Sequence, residues 1–151
     1  MKNHVNNGYE RIANNPIFSP SERIIIHNAS EAYQVFKSFW DVDLMPFLEE
    51  FKMMMLDSAD RVLAVHDLLL LGLTAQFTDI QAIIAAAIKV GAHAIILAHN
   101  RPSGAVQPGK EERTLSTKIV SVAKQNGILV RDHLIITRNS YFSYSENGLI
   151  R

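Results

Sequence analysis

Residues 78–99, TDIQAIIAAAIKVGAHAIILAH, constrain the fold more than any other stretch of the chain. Ile80, Ile83, Ile84, Ala87 and Ile88 recur at the spacing of one helix face. Thr78 and Gln81 fit a capping box, and Gly91 suits the left-handed residue that closes a helix. The helix runs straight into HAIILAH (93–99), an apolar run of strand length. A helix between strands predicts that this strand lies parallel to one of the earlier ones, in an α/β or α+β layer arrangement.

The flanking segments fit that scheme. FKMMML (51–56) and RVLAVH (61–66) read as strands, and Asp57-Ser58-Ala59-Asp60 reads as the turn between them. Asp67 to Leu71 is expected to continue the second strand after a bend. A helix is expected at 28–41, with Asn28 and Glu31 as its capping pair and Val35, Phe36, Phe39 and Trp40 as its apolar face. Another is expected at 110–126, with Leu115, Ile119, Val122 and Ala123 inward and Gly127 at its end. ILVRDHLIIT (128–137) and YFSYS (141–145) read as a closing β-hairpin. Residues 21–27 read as a short strand. Residues 1–22, rich in Asn and carrying Pro16 and Pro20, read as a flexible lead-in to a single domain over 23–151.

Composition narrows the chemistry. The 151 residues contain no cysteine, which excludes disulfides, thiolate zinc sites and a cysteine nucleophile. Fifteen basic residues balance fifteen acidic ones. That neutrality gives no support to binding DNA by counterion release, although a local basic patch stays compatible with DNA association. No apolar run approaches bilayer length and the N-terminus has no signal-peptide core, so a cytoplasmic protein without membrane association is expected.

The chemistry-bearing segment is LAHNRPSGAVQPG (97–109). His99 stands where an apolar strand meets a loop, and strand ends are where α/β folds place ligands. Thirteen residues on, Glu112 falls in the first turn of the next helix. An imidazole and a carboxylate are sensible zinc ligands, but a catalytic zinc takes three protein ligands and a water.

Here the chain resembles the JAMM (MPN, or JAB) metalloprotease signature, and within it the RadC-like branch. That signature is His-x-His-Pro, six residues, Ser, two residues, Asp, with a glutamate upstream. Besides ILAHN-PSG (95–104), the blocks DHLIIT (132–137) and YFSYSENGLI (141–150) carry the resemblance, which extends from about Ser21 to the end. It implies a JAMM/MPN-like (cytidine-deaminase-like) fold: a mixed β-sheet with packed helices and a C-terminal hairpin. It also implies a Zn(2+)-dependent hydrolase of amide or isopeptide bonds, in a branch often labelled with DNA repair. In the family two histidines and the aspartate bind zinc, the glutamate serves as general base and the serine steadies the oxyanion.

Carried over residue by residue, His99 matches the first histidine and Glu112 replaces the aspartate. Glu49 aligns best with the upstream base, ahead of its neighbour Glu50. Arg101 stands at the second histidine and Gly109 at the serine. Asn100, Pro102, Ser103 and Gly104 fill out the loop. A guanidinium has no lone pair for a metal. At about 4 Å it would oppose Zn²⁺ by several kcal/mol at an effective dielectric near 20. Losing an oxyanion donor costs roughly 2.7–4 kcal/mol of barrier. Arg101 is expected instead to clamp Glu49 and Glu112 through forked hydrogen bonds, in place of the ion.

Two readings follow. One is a metallopeptidase using His99, Glu112 and a substitute third ligand such as His66, with Glu49 as base. The other, which the two losses favour, is a non-catalytic relative that keeps the fold to bind a protein, a peptide or DNA. Simpler roles attach to the remaining candidates. Met53, Met54 and Met55 read as core. Tyr141, Phe142 and Tyr144 read as sheet packing rather than a base-stacking platform. Ser103 reads as a loop cap. Asp132 and His133, pointing to opposite faces, read as structural. Lys118, Lys124, Arg131 and Arg138 read as solvated.

Overall fold

The computed structural model describes residues 10–12, 15–68 and 77–150. Ten elements follow in order, beginning with β1 (Glu10–Ile12), β2 (Asn15–Ile17), α1 (Ala29–Ser38), β3 (Phe51–Leu56) and β4 (Val62–Asp67). After these come α2 (Phe77–Val90), β5 (Ala94–Asn100), α3 (Lys110–Gln125), β6 (Leu129–Ile136) and β7 (Tyr141–Ser143). The strands form one mixed sheet in the order β1-β2-β4-β3-β5-β6-β7. All six residues of β3 and all seven of β5 are buried, as befits strands covered on both faces.

The sheet separates two cores. On one side α1 packs Ala32, Tyr33 and Phe36, and the bend after it packs Trp40, against Met54, Ile96, Ala98, Leu134 and Ile136. On the other, α2 and α3 pack Ile80, Ile84, Leu115, Ile119 and Ala123 against Met53, Met55, Ile95, Leu97 and Ile135. The methionine run thus divides by strand alternation, Met54 to one core and its neighbours to the other. The expected helices hold. Asn28 Oδ1 caps α1 by accepting from the Glu31 N–H at 2.9 Å. Gly91 (φ +85°) and Gly127 (φ +74°) take the left-handed turn after α2 and α3, where a side chain would be strained.

One expectation is refined and three change. β5 pairs antiparallel with β3 and parallel with β6. Because β4 is also antiparallel to β3, β5 runs in the direction of β4 but with β3 between them. The connection through α2 therefore skips a strand. Within the expected lead-in, β1 and β2 form a hairpin that pairs with β4 through Ile17 and Ala64. Local composition indicated a loop, but the open backbone edge of β4 recruits the segment. That in turn leaves no edge for a strand at 21–27. Pro20–Glu22 is a 3₁₀ turn, and only Ile25 makes a bridge, to Arg61. Ile24 and Ile25 are exposed, and of this apolar run only Ile26 enters the core. Finally, α2 already begins at Phe77, which puts Thr78 inside the helix rather than at its cap. The expected continuation of β4 to Leu71 lies outside the described residues beyond Leu68. No helix among the described residues is long and apolar enough to cross a membrane.

Candidate functional site

The carboxyl end of β5 presents His99 to the α2/α3 side and Asn100 to the α1 side. Opposite His99 on β3 sits Phe51, whose ring stacks on the imidazole at 5.0 Å and 11°. Loop 101–109 then carries the chain to α3, whose first turn turns Glu112 inward. Glu112 Oε1 accepts from the Gly109 N–H at 2.8 Å, satisfying one open donor of the helix start. A helical turn later, Ser116 is also buried.

These elements converge on a chain of side-chain hydrogen bonds. Ser116 Oγ lies 3.0 Å from His133 Nδ1, His133 Nε2 lies 2.8 Å from His99 Nδ1, and His99 Nε2 lies 2.6 Å from Glu112 Oε2. His99 and His133 are 0% exposed and Glu112 2%. One proton arrangement satisfies every link: Ser116 donates to His133, His133 to His99, and His99 to Glu112. Burial first, and the neighbouring His99 second, push the His133 imidazole well below its ordinary value and keep it neutral. Burial alone would raise the Glu112 carboxyl. The His99 hydrogen bond, the Gly109 N–H and the electrostatic influence of His99 and Arg101 together lower it instead.

Arg101 closes the outer end. Its Nη1 lies 3.3 Å from Glu112 Oε1 and donates to the Gln107 carbonyl at 2.6 Å, tying the loop across itself. The expected clamp is thus formed on Glu112 alone. Glu49 is exposed, one residue ahead of Glu50 and two before the Phe51–His99 pair, and makes no ion pair among the described residues. Glu50 instead meets buried Lys52 at 3.2 Å. Gly109 has extended backbone, φ −80° and ψ 174°, and a Cβ there would come only to ordinary contact with Glu112 Oε1, at 3.4 Å. The serine position has therefore lost its hydroxyl but not its space.

The rest of the loop is structural. Asn100 Oδ1 accepts from Trp40 Nε1 at 3.2 Å and from the Glu50 N–H at 2.8 Å. Its Nδ2 donates to the carbonyls of Met45 (3.1 Å) and Leu48 (2.9 Å). Pro102, Ser103 and Gly104 are exposed, and Ser103 Oγ accepts from the Ala105 N–H at 3.3 Å as a loop cap. Asp132 faces away from His133, accepting from Ser143 Oγ (2.6 Å) and the Ser145 N–H (2.9 Å).

A zinc ion does not fit this donor set. Both His99 nitrogens and both Glu112 oxygens are engaged by protein atoms, one of them by a guanidinium. His66 lies on β4, with β3 between it and β5. Among the described residues no three His, Asp or Glu side chains form a group that would hold a metal. The sequence reading missed His133 and Ser116 as members of the cluster. The parallel register of β5 and β6, which pairs Leu97 with His133 and His99 with Ile135, sets the two histidines diagonally on one face. Ser116 follows Glu112 by one helical turn.

The chain is similar to UPF0758 protein STH371 of Symbiobacterium thermophilum (strain DSM 24528 / JCM 14929 / IAM 14863 / T), at 35% identity over 103 residues. That match covers 68% of this chain and 44% of the relative. It is also similar to UPF0758 protein YkfG of Escherichia coli (strain K12), at 36% identity over 104 residues, covering 68% of this chain and 65% of that one. The match thus spans less than two thirds of either relative. The RadC-like JAB domain model matches residues 26–149, a span that includes α1, the five strands from β3 to β7 and the whole His99 cluster. With a mixed sheet between helices and the strand-end histidine in place, the chain belongs to the RadC-like JAB domain family.

Proposed function

We propose that this chain is a RadC-like JAB domain that has given up its zinc seat and works as a binding module rather than a zinc-dependent hydrolase of amide or isopeptide bonds. The observation that carries the reading is the contact of Arg101 Nη1 with Glu112 at 3.3 Å, beside a His99 whose two ring nitrogens are both engaged. A fixed positive charge sits where the family's second histidine would donate a lone pair, and it neutralises the carboxylate that a metal would otherwise need. The exposed position of Glu49, which makes no ion pair among the described residues, supports the loss of the general base as well. The formal net charge of zero favours a protein or small-molecule partner over DNA held through its phosphates.

Metal analysis after exposure to zinc tests the reading. The expected result is zinc far below one ion per chain, rising when Arg101→His and Gly109→Ser are combined. Near-stoichiometric zinc in the unaltered protein would support the alternative metallopeptidase and overturn the proposal.

A further inference from the structure

A cavity of about 220 Å³ lies between α3 and the segment that follows β7. Arg113, Ser116 and Thr117 form its helical wall, and Tyr144, Leu149 and Ile150 the other. Tyr144 is 1% exposed and its ring stacks on His133 at 4.5 Å and 11°, yet its hydroxyl has no hydrogen-bond partner. An orphaned buried donor keeps its desolvation penalty uncompensated, and such a group marks a place where an acceptor is wanted. Burial, with Glu112 nearby, pushes the phenol upward, so it stays a donor. The cavity shares Arg113 and Thr117 with a shallower depression that adds Lys110 and Lys118. None of these three cations is in an ion pair among the described residues. The nearest buried acid, Glu112, is already neutralised by Arg101 at 3.3 Å. A small, partly apolar cleft therefore opens beside an unpaired basic shelf, with one buried unsatisfied donor on the Tyr144 side chain that lines it.

We propose that this cleft binds a carboxylate carried on a short aliphatic group. The aliphatic part lies against Val120, Leu149 and Ile150, while the carboxylate accepts from the Tyr144 hydroxyl and pairs with Arg113. The cleft is smaller than the roughly 300–1,000 Å³ of drug-sized sites, which limits the occupant to a short chain or one terminal residue. Two sources share this chemistry: a free short-chain acid, and the C-terminal leucine or valine of a peptide. The inference does not depend on the zinc question, because the groups assigned to the carboxylate, the Tyr144 hydroxyl and Arg113, are not among the candidate metal ligands His99, Glu112 and His66.

Amide NMR titration of the full chain tests it, with hexanoate, hexanol, and acetyl-Ala-Ala-Leu as free acid and as amide. The expected result is saturable shifts at Ser116, Thr117 and Tyr144 with a carboxylate ligand. Binding should be about tenfold or more weaker for hexanol and the peptide amide, and for hexanoate with Arg113→Gln, the effect of losing one charge-assisted contact. Tyr144→Phe should weaken binding while raising the melting temperature of the free protein, since it deletes the orphaned donor. Tighter binding of the peptide acid than of hexanoate identifies a peptide terminus as the source, and the reverse identifies a free acid. Absence of saturable shifts in that region, hexanol binding as tightly as hexanoate, or unchanged affinity in Arg113→Gln overturns the proposal.

Discussion

His99 and Asn100 are neighbours on β5, buried at the same strand end, and each anchors a polar cluster on its own side of the sheet. Asn100 uses all four of its hydrogen-bonding positions on three backbone groups and one indole. Nothing in that cluster titrates, and only Trp40 need be conserved in kind for it to form. His99 meets only side chains, in a line that passes through His133 to Ser116 and through Glu112 to Arg101. Such side-chain to side-chain bonds are a minority of protein hydrogen bonds. The neutral cluster latches residues 45–50 to the sheet. The ionisable one stakes its integrity on protonation states and on one internal charge pair. A strand end can thus hold a purely mechanical fastening and an ionisable side-chain cluster one residue apart.

The contrast can be broken from either side. The largest effect is expected from Glu112→Ala, which strands Arg101 and removes the acceptor for His99. Breaking a buried pair of this kind costs about 3–5 kcal/mol, read as a fall in urea midpoint at constant m. Asn100→Ala should cost somewhat less, about 2–3 kcal/mol, because the groups it orphans are uncharged and partly able to reach water. If the Asn100 change proves the more damaging, the charged cluster contributes little to stability.

Acid should separate the two clusters next. His133 has a folded value well below 6.5, so the unfolded chain takes up that proton first and stability declines as pH falls below about 6.5. Glu112 has a folded value below 4.5. Its contribution is intact above 4.5 and is lost as pH falls further, through the folded value. Asp132 opposes this. Burial raises its carboxyl above 3.8, so the folded chain binds the proton first and gains stability as pH falls through that raised value. His133→Gln should shrink the decline that begins near 6.5, leaving the part that burial of His66 contributes, seen in melting temperature against pH, and Asn100→Ala should leave its shape unchanged. The smallest effect is expected from Ser103→Ala, within about 0.5 kcal/mol as for other exposed loop substitutions. A larger loss there would mean that the exposed loop carries a role in stability beyond its one backbone cap.

Much of this arrangement was legible in the residues. Strong local signals carried α1, α2, α3 and the strands from β3 to β7, because apolar period agreed there with the Asn28 cap of α1 and the closing glycines of α2 and α3. The pairing of His99 with Glu112 followed from strand end, loop and first helical turn. What local reasoning lacked was register. Whether β5 lies beside β3 or β4 depends on tertiary packing, and so does the diagonal that joins His99 to His133. Asp132 and His133 were rightly assigned to opposite faces, but which face was polar could not be read from one strand alone. The hairpin of β1 and β2 was hidden for a different reason. Its residues have weak strand preference and pair because an open edge is available.

One consequence follows from the Arg101–Glu112 contact. A cation attached covalently to the backbone cannot be chelated, diluted away or exchanged for a competing ion. On the reading proposed above, the loop between β5 and α3 keeps its shape independently of metal supply.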